Sequence, residues 1–357
     1  HAVAFAGARR LLCGTAEGEL SVWDLSDRRA AAAWAAADSP LLAVHGLDAG
    51  AACVSQCKEG HLRLWDVRSR ALQWEAETGS SSFARSLVLP SSGGDALDAQ
   101  PQACVLCSPL AEPSIVGAFD CRGSGRRCDL ALAASAAGRP PAASAAGGST
   151  LGMCMALCAL PALGASFLLA VYESTDACVW DLRSPREPAA ASVLAGDPTS
   201  PAICAAVVWR RAWVADAGGG IGLVKLRQGG GLRREQRGVK VSAAAYQAPV
   251  GTDNAAVADN WDTGKSGVNA LAVRPDLRLV AAARWDRRVE LFDAKTAASL
   301  GRLQCHDGGV LCAAFDRERG TLASGGEDGR VALWGALTGS YAGPARAGGL
   351  EPCAEEK

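Results

Sequence analysis

His306, Ser324 and Asp328 are the three side-chain types of an acyl-transfer relay: a nucleophile, a base and a carboxylate to orient it. Their setting argues against that use. Ser324 lies inside the run LASGG, not in a G-x-S-x-G turn that would expose a nucleophile, and no oxyanion loop accompanies it. With Trp334 added, the set reads as a structural chain from indole N–H to hydroxyl, imidazole and carboxylate. Only four histidines occur, one of them His1, and no second set of paired titratable groups emerges. No catalytic residue is assigned, and the chain is not expected to be an enzyme. Cys104 and Cys107 form a C-x2-C pair, followed by Cys121 and Cys128. Four thiolates could hold zinc, but the first pair sits in the strand-like ACVLC rather than on a glycine-containing knuckle. Most of the fourteen cysteines lie in apolar runs, where a thiol is a small buried hydrophobe. Reduced thiols of this kind fit a cytoplasmic or nuclear protein. Neither GGGIGLVK nor GGGLRR supplies a phosphate loop, so no metal and no cofactor are expected. The remaining chemistry is that of contact. Trp285 stands between Arg284 and the pair Arg287, Arg288, an aromatic among guanidiniums of the kind that anchors protein partners. The alternative is that Trp285 folds over its own neighbours and the arginines are solvated.

The elements that position these residues come from a repeat. Aligned on a closing aromatic, Trp23, Trp65, Phe119, Trp180, Val224, Phe292 and Trp334 fall in one column, spaced by 42, 54, 61, 44, 68 and 42 residues. The shortest spacing matches the period of about 40–45 residues of a four-stranded propeller blade. Each closing residue follows a short apolar strand, a turn and an alternating strand, as in VLCAAFD, LASGGEDG and RVALWG. Ten Trp against three Tyr and six Phe suit that role. Six residues before the column stand Glu17, Glu59 and Asp328, then Gly18, Gly60 and Gly329: a carboxylate to accept turn hydrogen bonds and a glycine for positive φ. Asp286 occupies the same place before Phe292, so Trp285 is a turn residue and not a blade-closing one, and Arg287 replaces the glycine. The fold class is all-β, a seven-bladed β-propeller over residues 1–345 with a tail at 346–357.

A net charge of −1 provides no global field toward nucleic acid or an anionic membrane. The uncharged stretch 151–171 is long enough for a bilayer, but Pro161 and Gly164 interrupt it. Two buried strands joined by a Pro-Ala-Leu-Gly turn are expected there. Insertions are expected at 131–150, rich in Ala, Gly, Ser and Pro, and at 228–267, which carries GGGLRREQRG and the pair Trp261-Asp262. The arginines of the second insertion are read as solvated rather than bound to RNA. In blade three, Pro113 takes the place of the turn carboxylate. The start at His1 rather than Met fits a fragment or a processed chain.

Trp-Asp-closed strands at this period resemble the WD-repeat family. Residues 274–293 (RPDLRLVAAARWDRRVELFD) and 305–334 are similar to the last two blades of the G-protein-beta-subunit-like WD-repeat proteins and their fungal counterpart, the WD-repeat subunit of the ASTRA complex. Leu151-Gly152-Met153 and Ser55-Gln56 match as well, whereas that family carries Gly where this chain has Arg284. The resemblance implies a scaffold linked to the Tel2–Tti1–Tti2 co-chaperone assembly, which supports maturation of phosphatidylinositol-3-kinase-related kinases. The alternative is a G-protein-beta-like signalling subunit, or a structural subunit of another large complex; no heptad helix that would pair with a gamma subunit precedes the first blade.

Overall fold

The computed structural model describes residues 1–7, 9–90, 100, 104–121, 125–131, 151–193, 200–227, 231–235, 239–240 and 267–335. The expected insertion at 131–150 falls outside these residues except at Ala131, as do Trp261, Asp262 and the tail; the one expected at 228–267 is corrected at its start, where Leu232–Arg234 and Val239–Lys240 pair with the third strand of blade five. The described residues form seven antiparallel sheets, each a meander of consecutive strands. Blade one runs from Ala2–Phe5 to Arg29–Ala35, and blade two from Leu41–Leu47 to Leu72–Glu77. Blade three spans Leu87–Pro90 to Arg126–Leu130, and blade four Cys154–Ala159 to Ala190–Val193. Blade five begins at Ala202–Val208, and blade six runs from Val268–Val273 to Ser299–Gln304. Blade seven holds Val310–Phe315, Leu322–Gly326 and Val331–Trp334. First strands of neighbouring blades lie side by side except between blades two and three, which share a core cluster instead, and that of blade seven meets that of blade one, which closes the ring. The described residues form a seven-bladed β-propeller.

Every residue of the aligned column sits on the third strand of its blade, opposite a second-strand partner. The pairs are Leu11–Trp23, Cys53–Trp65, Leu106–Phe119, Leu168–Trp180, Ala212–Val224, Val280–Phe292 and Leu322–Trp334. The strands differ in composition because they differ in what covers them. Second strands are packed on both faces and read as unbroken apolar runs: Ala52–Cys57 and Leu279–Arg284 are buried at every position. Outer strands alternate, with one face wet, as in Arg29–Ala35. There Trp34 turns inward and meets Trp65 of the next blade edge-on, ring centroids 6.0 Å apart.

The core is divided into seven clusters, each shared by two adjacent blades. One joins Trp65, Leu20 and Leu41 across blades one and two. Another joins Trp213, Phe292 and Val280 across blades five and six. Phe5, Leu11, Cys13 and Ala323 form the seam between blades one and seven. Residues 151–171 form two strands, Cys154–Ala159 and Phe167–Tyr172, joined by a turn. No described helix is long and apolar enough to cross a membrane. Gly18 shows why the turn column favours glycine: at φ +81° its missing Cβ would lie 2.0 Å from the Ala37 carbonyl oxygen.

Candidate interaction face

In a meander, turns between second and third strands and connections from one blade to the next emerge at one end. That end is called the upper face. At blade six the second strand Leu279–Arg284 and third strand Arg288–Asp293 are joined by Trp285, Asp286 and Arg287. This is a three-residue hairpin turn, which needs a left-handed residue last. Arg287 supplies it at φ +71°, where Gly18, Gly60 and Gly329 supply it elsewhere. The strain costs roughly 1–2 kcal/mol.

The four residues expected to meet partners separate here. Arg284 has no solvent exposure: it points into the blade, donating through Nε and Nη2 to Asp286 (3.0 and 2.8 Å) and through Nη1 to Glu290 (2.7 Å). Glu290 is itself buried and also accepts from Ser299 Oγ at 2.8 Å. The buried guanidinium is tolerated because two carboxylates satisfy it. Arg284 therefore cannot contribute contact surface, which corrects the expectation placed on it. Trp285 takes the packing role. Its ring lies over Gly267, where a Cβ would come within 2.6 Å of it. Its Nε1 donates to Asn269 Oδ1 (2.6 Å), and Asn269 Nδ2 donates to the Val310 carbonyl of blade seven (2.8 Å). The indole is a clasp between blades six and seven. Arg287 and Arg288 remain partly exposed.

In blade seven the four expected residues come together. Trp334 Nε1 donates to Ser324 Oγ at 3.0 Å, His306 Nε2 lies 2.9 Å from the same oxygen, and His306 Nδ1 lies 3.2 Å from Asp328. Burial raises the Asp328 carboxyl, but N–H groups of Asp307 and Arg330, together with His306, outweigh it and hold the group below its ordinary range. Ser324 is fully buried in a strand, away from any surface a substrate reaches. The other column tryptophans use what their blades offer. Trp65 Nε1 donates to Ser55 Oγ (2.9 Å) and Trp23 Nε1 to Ser21 Oγ (3.1 Å). In blade four Ala170 stands where blades two and seven have serine, and the buried Trp180 N–H meets no well-aligned acceptor, with only the Tyr172 hydroxyl interacting with it among the described residues.

Sequence reasoning missed the segment 78–86, TGSSSFARS, between blades two and three. Its residues alternate, with Ser80, Ser82, Ala84 and Ser86 buried and Phe83 exposed at 59%. It is not confined to its own blades. Ser82 Oγ donates to the Cys154 carbonyl of blade four (2.8 Å), and Arg85 Nη2 donates to the Leu311 carbonyl of blade seven (2.8 Å). Gln56 clamps it by donating to the Ala84 carbonyl (3.0 Å) and accepting from Ser86 N–H (2.6 Å). The segment thus ties blades two, four and seven together on the upper face and presents Phe83, with Lys58 Nζ 5.3 Å from the ring centroid. The alternation of small polar residues was its one signal in sequence. His45 bonds Ser86 Oγ at 3.1 Å beneath it. It keeps a narrow opening to solvent, yet burial lowers its pKa to about 4, Ser86 opposing and Arg85 reinforcing.

Burial pushes the Cys13, Cys53 and Cys121 thiols up to about 12, away from the reactive thiolate. Among the described residues no group of three or more His, Cys, Asp or Glu is arranged to hold a metal ion.

Comparison with known proteins agrees with the geometry. The family model "WD domain, G-beta repeat" matches residues 261–293 and 297–335. The chain is 25% identical over 336 residues to the guanine nucleotide-binding protein subunit beta-like protein 1 of Mus musculus, covering 92% of this chain and 88% of that one. It is 34% identical over 76 residues to ASTRA-associated protein 1 of Schizosaccharomyces japonicus, a match spanning 21% of each chain. The Pyricularia oryzae protein of the same name is 38% identical over 80 residues, 22% of this chain and 17% of that one. Among solved structures, the Myceliophteria thermophila Cps50 (Swd1) beta-propeller domain superposes with a TM-score of 0.70 at 14% identity, covering 94% of this chain and 96% of that one. That last likeness speaks to fold alone. The repeat match falls on blades six and seven, and the propeller likeness extends over the chain.

Proposed function

We propose that this WD-repeat propeller is a non-enzymatic scaffold that serves an assembly like Tel2–Tti1–Tti2, the co-chaperone set that supports maturation of phosphatidylinositol-3-kinase-related kinases, in cytoplasm and nucleus. The observation that carries this reading is the near-full-length likeness to the mouse beta-like protein, joined to a stronger local likeness to the fungal ASTRA-associated proteins. The upper face supports it: an exposed Phe83 beside Lys58, with Arg287 and Arg288 on the rim, has the composition of a partner anchor. The buried relay of blade seven serves the fold, and the deep thiols are inert.

The test is affinity purification of the tagged chain from cells with mass spectrometry of what accompanies it. Recovery of Tel2-, Tti1- and Tti2-like proteins is expected, with loss on exchange of Phe83 for alanine or of Arg287 and Arg288 for glutamate. Recovery of a small helical gamma-type subunit in their place would overturn the reading in favour of a G-protein-beta-like one.

A further inference from the structure

The lower face, where first strands turn into second strands, carries a feature the upper-face reading does not use. In blade five, Val208 pairs with Arg211, so Trp209 and Arg210 make a two-residue hairpin turn. Such turns hold their first central residue at positive φ, the place of Gly or Asn. Here it is Trp209, at φ +52° and 47% exposed. A bulky residue in that conformation is an outlier on steric grounds. The chain accepts backbone strain and leaves a large apolar ring in water. Strain of that kind concentrates at functional sites.

A second anomaly adjoins it. Arg211 pairs across strands with Lys225, and Lys225 with Arg233. Residues directly opposite project to the same side of a sheet, so three cations stand in one row across three strands. Like charges so placed repel and weaken the sheet. Glu235 meets only one of them, Arg211, at 3.1 Å. Arg211 Nη1 reaches the Lys295 carbonyl (2.8 Å), which sets the row at the seam with blade six. Lys295 itself is exposed, and nearby Asp293 is engaged in its own turn by Thr296.

We propose that this edge of blades five and six docks an acidic segment of a partner protein. Its carboxylates meet the row Arg211, Lys225 and Arg233, and an apolar side chain packs on Trp209. The row spans roughly 10 Å, and alternate side chains of an extended peptide fall about 7 Å apart on one side, so two acidic residues reach it together. The aromatic anchor and a chain charge of −1 favour a protein segment over a nucleic-acid backbone, which draws its affinity from many phosphates. The site is independent of the co-chaperone reading.

The test is fluorescence anisotropy of the purified chain with a fluorescein-labelled peptide of alternating Glu and Phe, with labelled oligouridylate of equal length alongside. Binding of the peptide is expected, weakened at least about tenfold in Trp209→Gly and in Lys225→Glu. Both variants are expected to melt no lower than the parent, because glycine suits the turn and glutamate relieves the row. Peptide affinity unchanged in both variants, oligouridylate bound more tightly than the peptide, or affinity lost only together with the melting midpoint would each overturn the proposal.

Discussion

Exchange of Glu290 for alanine isolates the most exposed energetic commitment in the fold, the guanidinium sealed inside blade six. Arg284 has no solvent contact, and Glu290 is 2% exposed. Removing the carboxylate strands Nη1 without its 2.7 Å acceptor and leaves Asp286 as the sole counter-charge. Breaking a buried pair from one side costs about 3–5 kcal/mol. Removing both charges differs in kind: with Arg284→Met and Glu290→Leu together, no buried charge remains. Asp286 is 29% exposed and Arg302 30%, so water can serve each of them. The double variant is expected within about 1–2 kcal/mol of the parent, since replacing a buried pair by apolar groups is often neutral. The assay is urea unfolding followed by tryptophan fluorescence, compared at equal slope so that only the midpoint carries the difference. The cycle of parent, Arg284→Met, Glu290→Leu and the double variant then yields a coupling energy of about 3 kcal/mol or more. A loss below about 1 kcal/mol for Glu290→Ala, or a double variant as unstable as the sum of the singles, would refute the view that the pair is held together by mutual need.

Ser324→Ala is expected to cost about 1–3 kcal/mol in the same assay, because Trp334 N–H and His306 lose their shared oxygen while buried. Its converse is Ala170→Ser, which offers the Trp180 N–H a well-aligned acceptor and is expected to stabilise by roughly 0.5–1 kcal/mol; a destabilised protein would mean that the added oxygen overpacks the seam. Stability is expected to fall as pH is lowered from 6.5 toward 4, because the unfolded chain protonates His45 near its ordinary value while the folded chain resists until about 4. His45→Gln should flatten that limb of a pH-dependent melting series. Asp328 acts at lower pH: its depressed carboxyl contributes stability that is present above its unfolded value and lost as pH falls through its folded one.

Much of this was legible in the sequence because the blade is a local object. Column position, turn carboxylate and turn glycine are all fixed within about a dozen residues, so Trp23, Trp65, Trp180 and Trp334 could be placed by counting. Blade-seven's His306–Ser324–Asp328–Trp334 chain was readable for the same reason. What escaped were contacts between blades. Whether Trp285 faced water or Asn269 depended on a strand sixteen residues upstream, and on a glycine beneath the ring. Arg284 looked like a surface cation because its buried acceptor, Glu290, is one of many acidic residues and nothing in its spacing marks it as internal. The reach of Arg85 to Leu311 joins residues 226 positions apart, which no short-range pattern encodes. Trp209 was passed over because a hairpin with a tryptophan at its left-handed position contradicts the turn chemistry used to find hairpins.

The division of the core into clusters shared by adjacent blades has a mechanical consequence. An open array of repeats has ends, and its terminal units fray first and can be lost one at a time. Here the cluster of Phe5, Leu11, Cys13 and Ala323 welds the last unit to the first, so no unit is terminal. A cavity opened in any blade loosens both of its neighbours and is transmitted around the circle from two directions. Damage to this protein should therefore register as failure of the whole ring, and its rims should stay in fixed mutual orientation until that point.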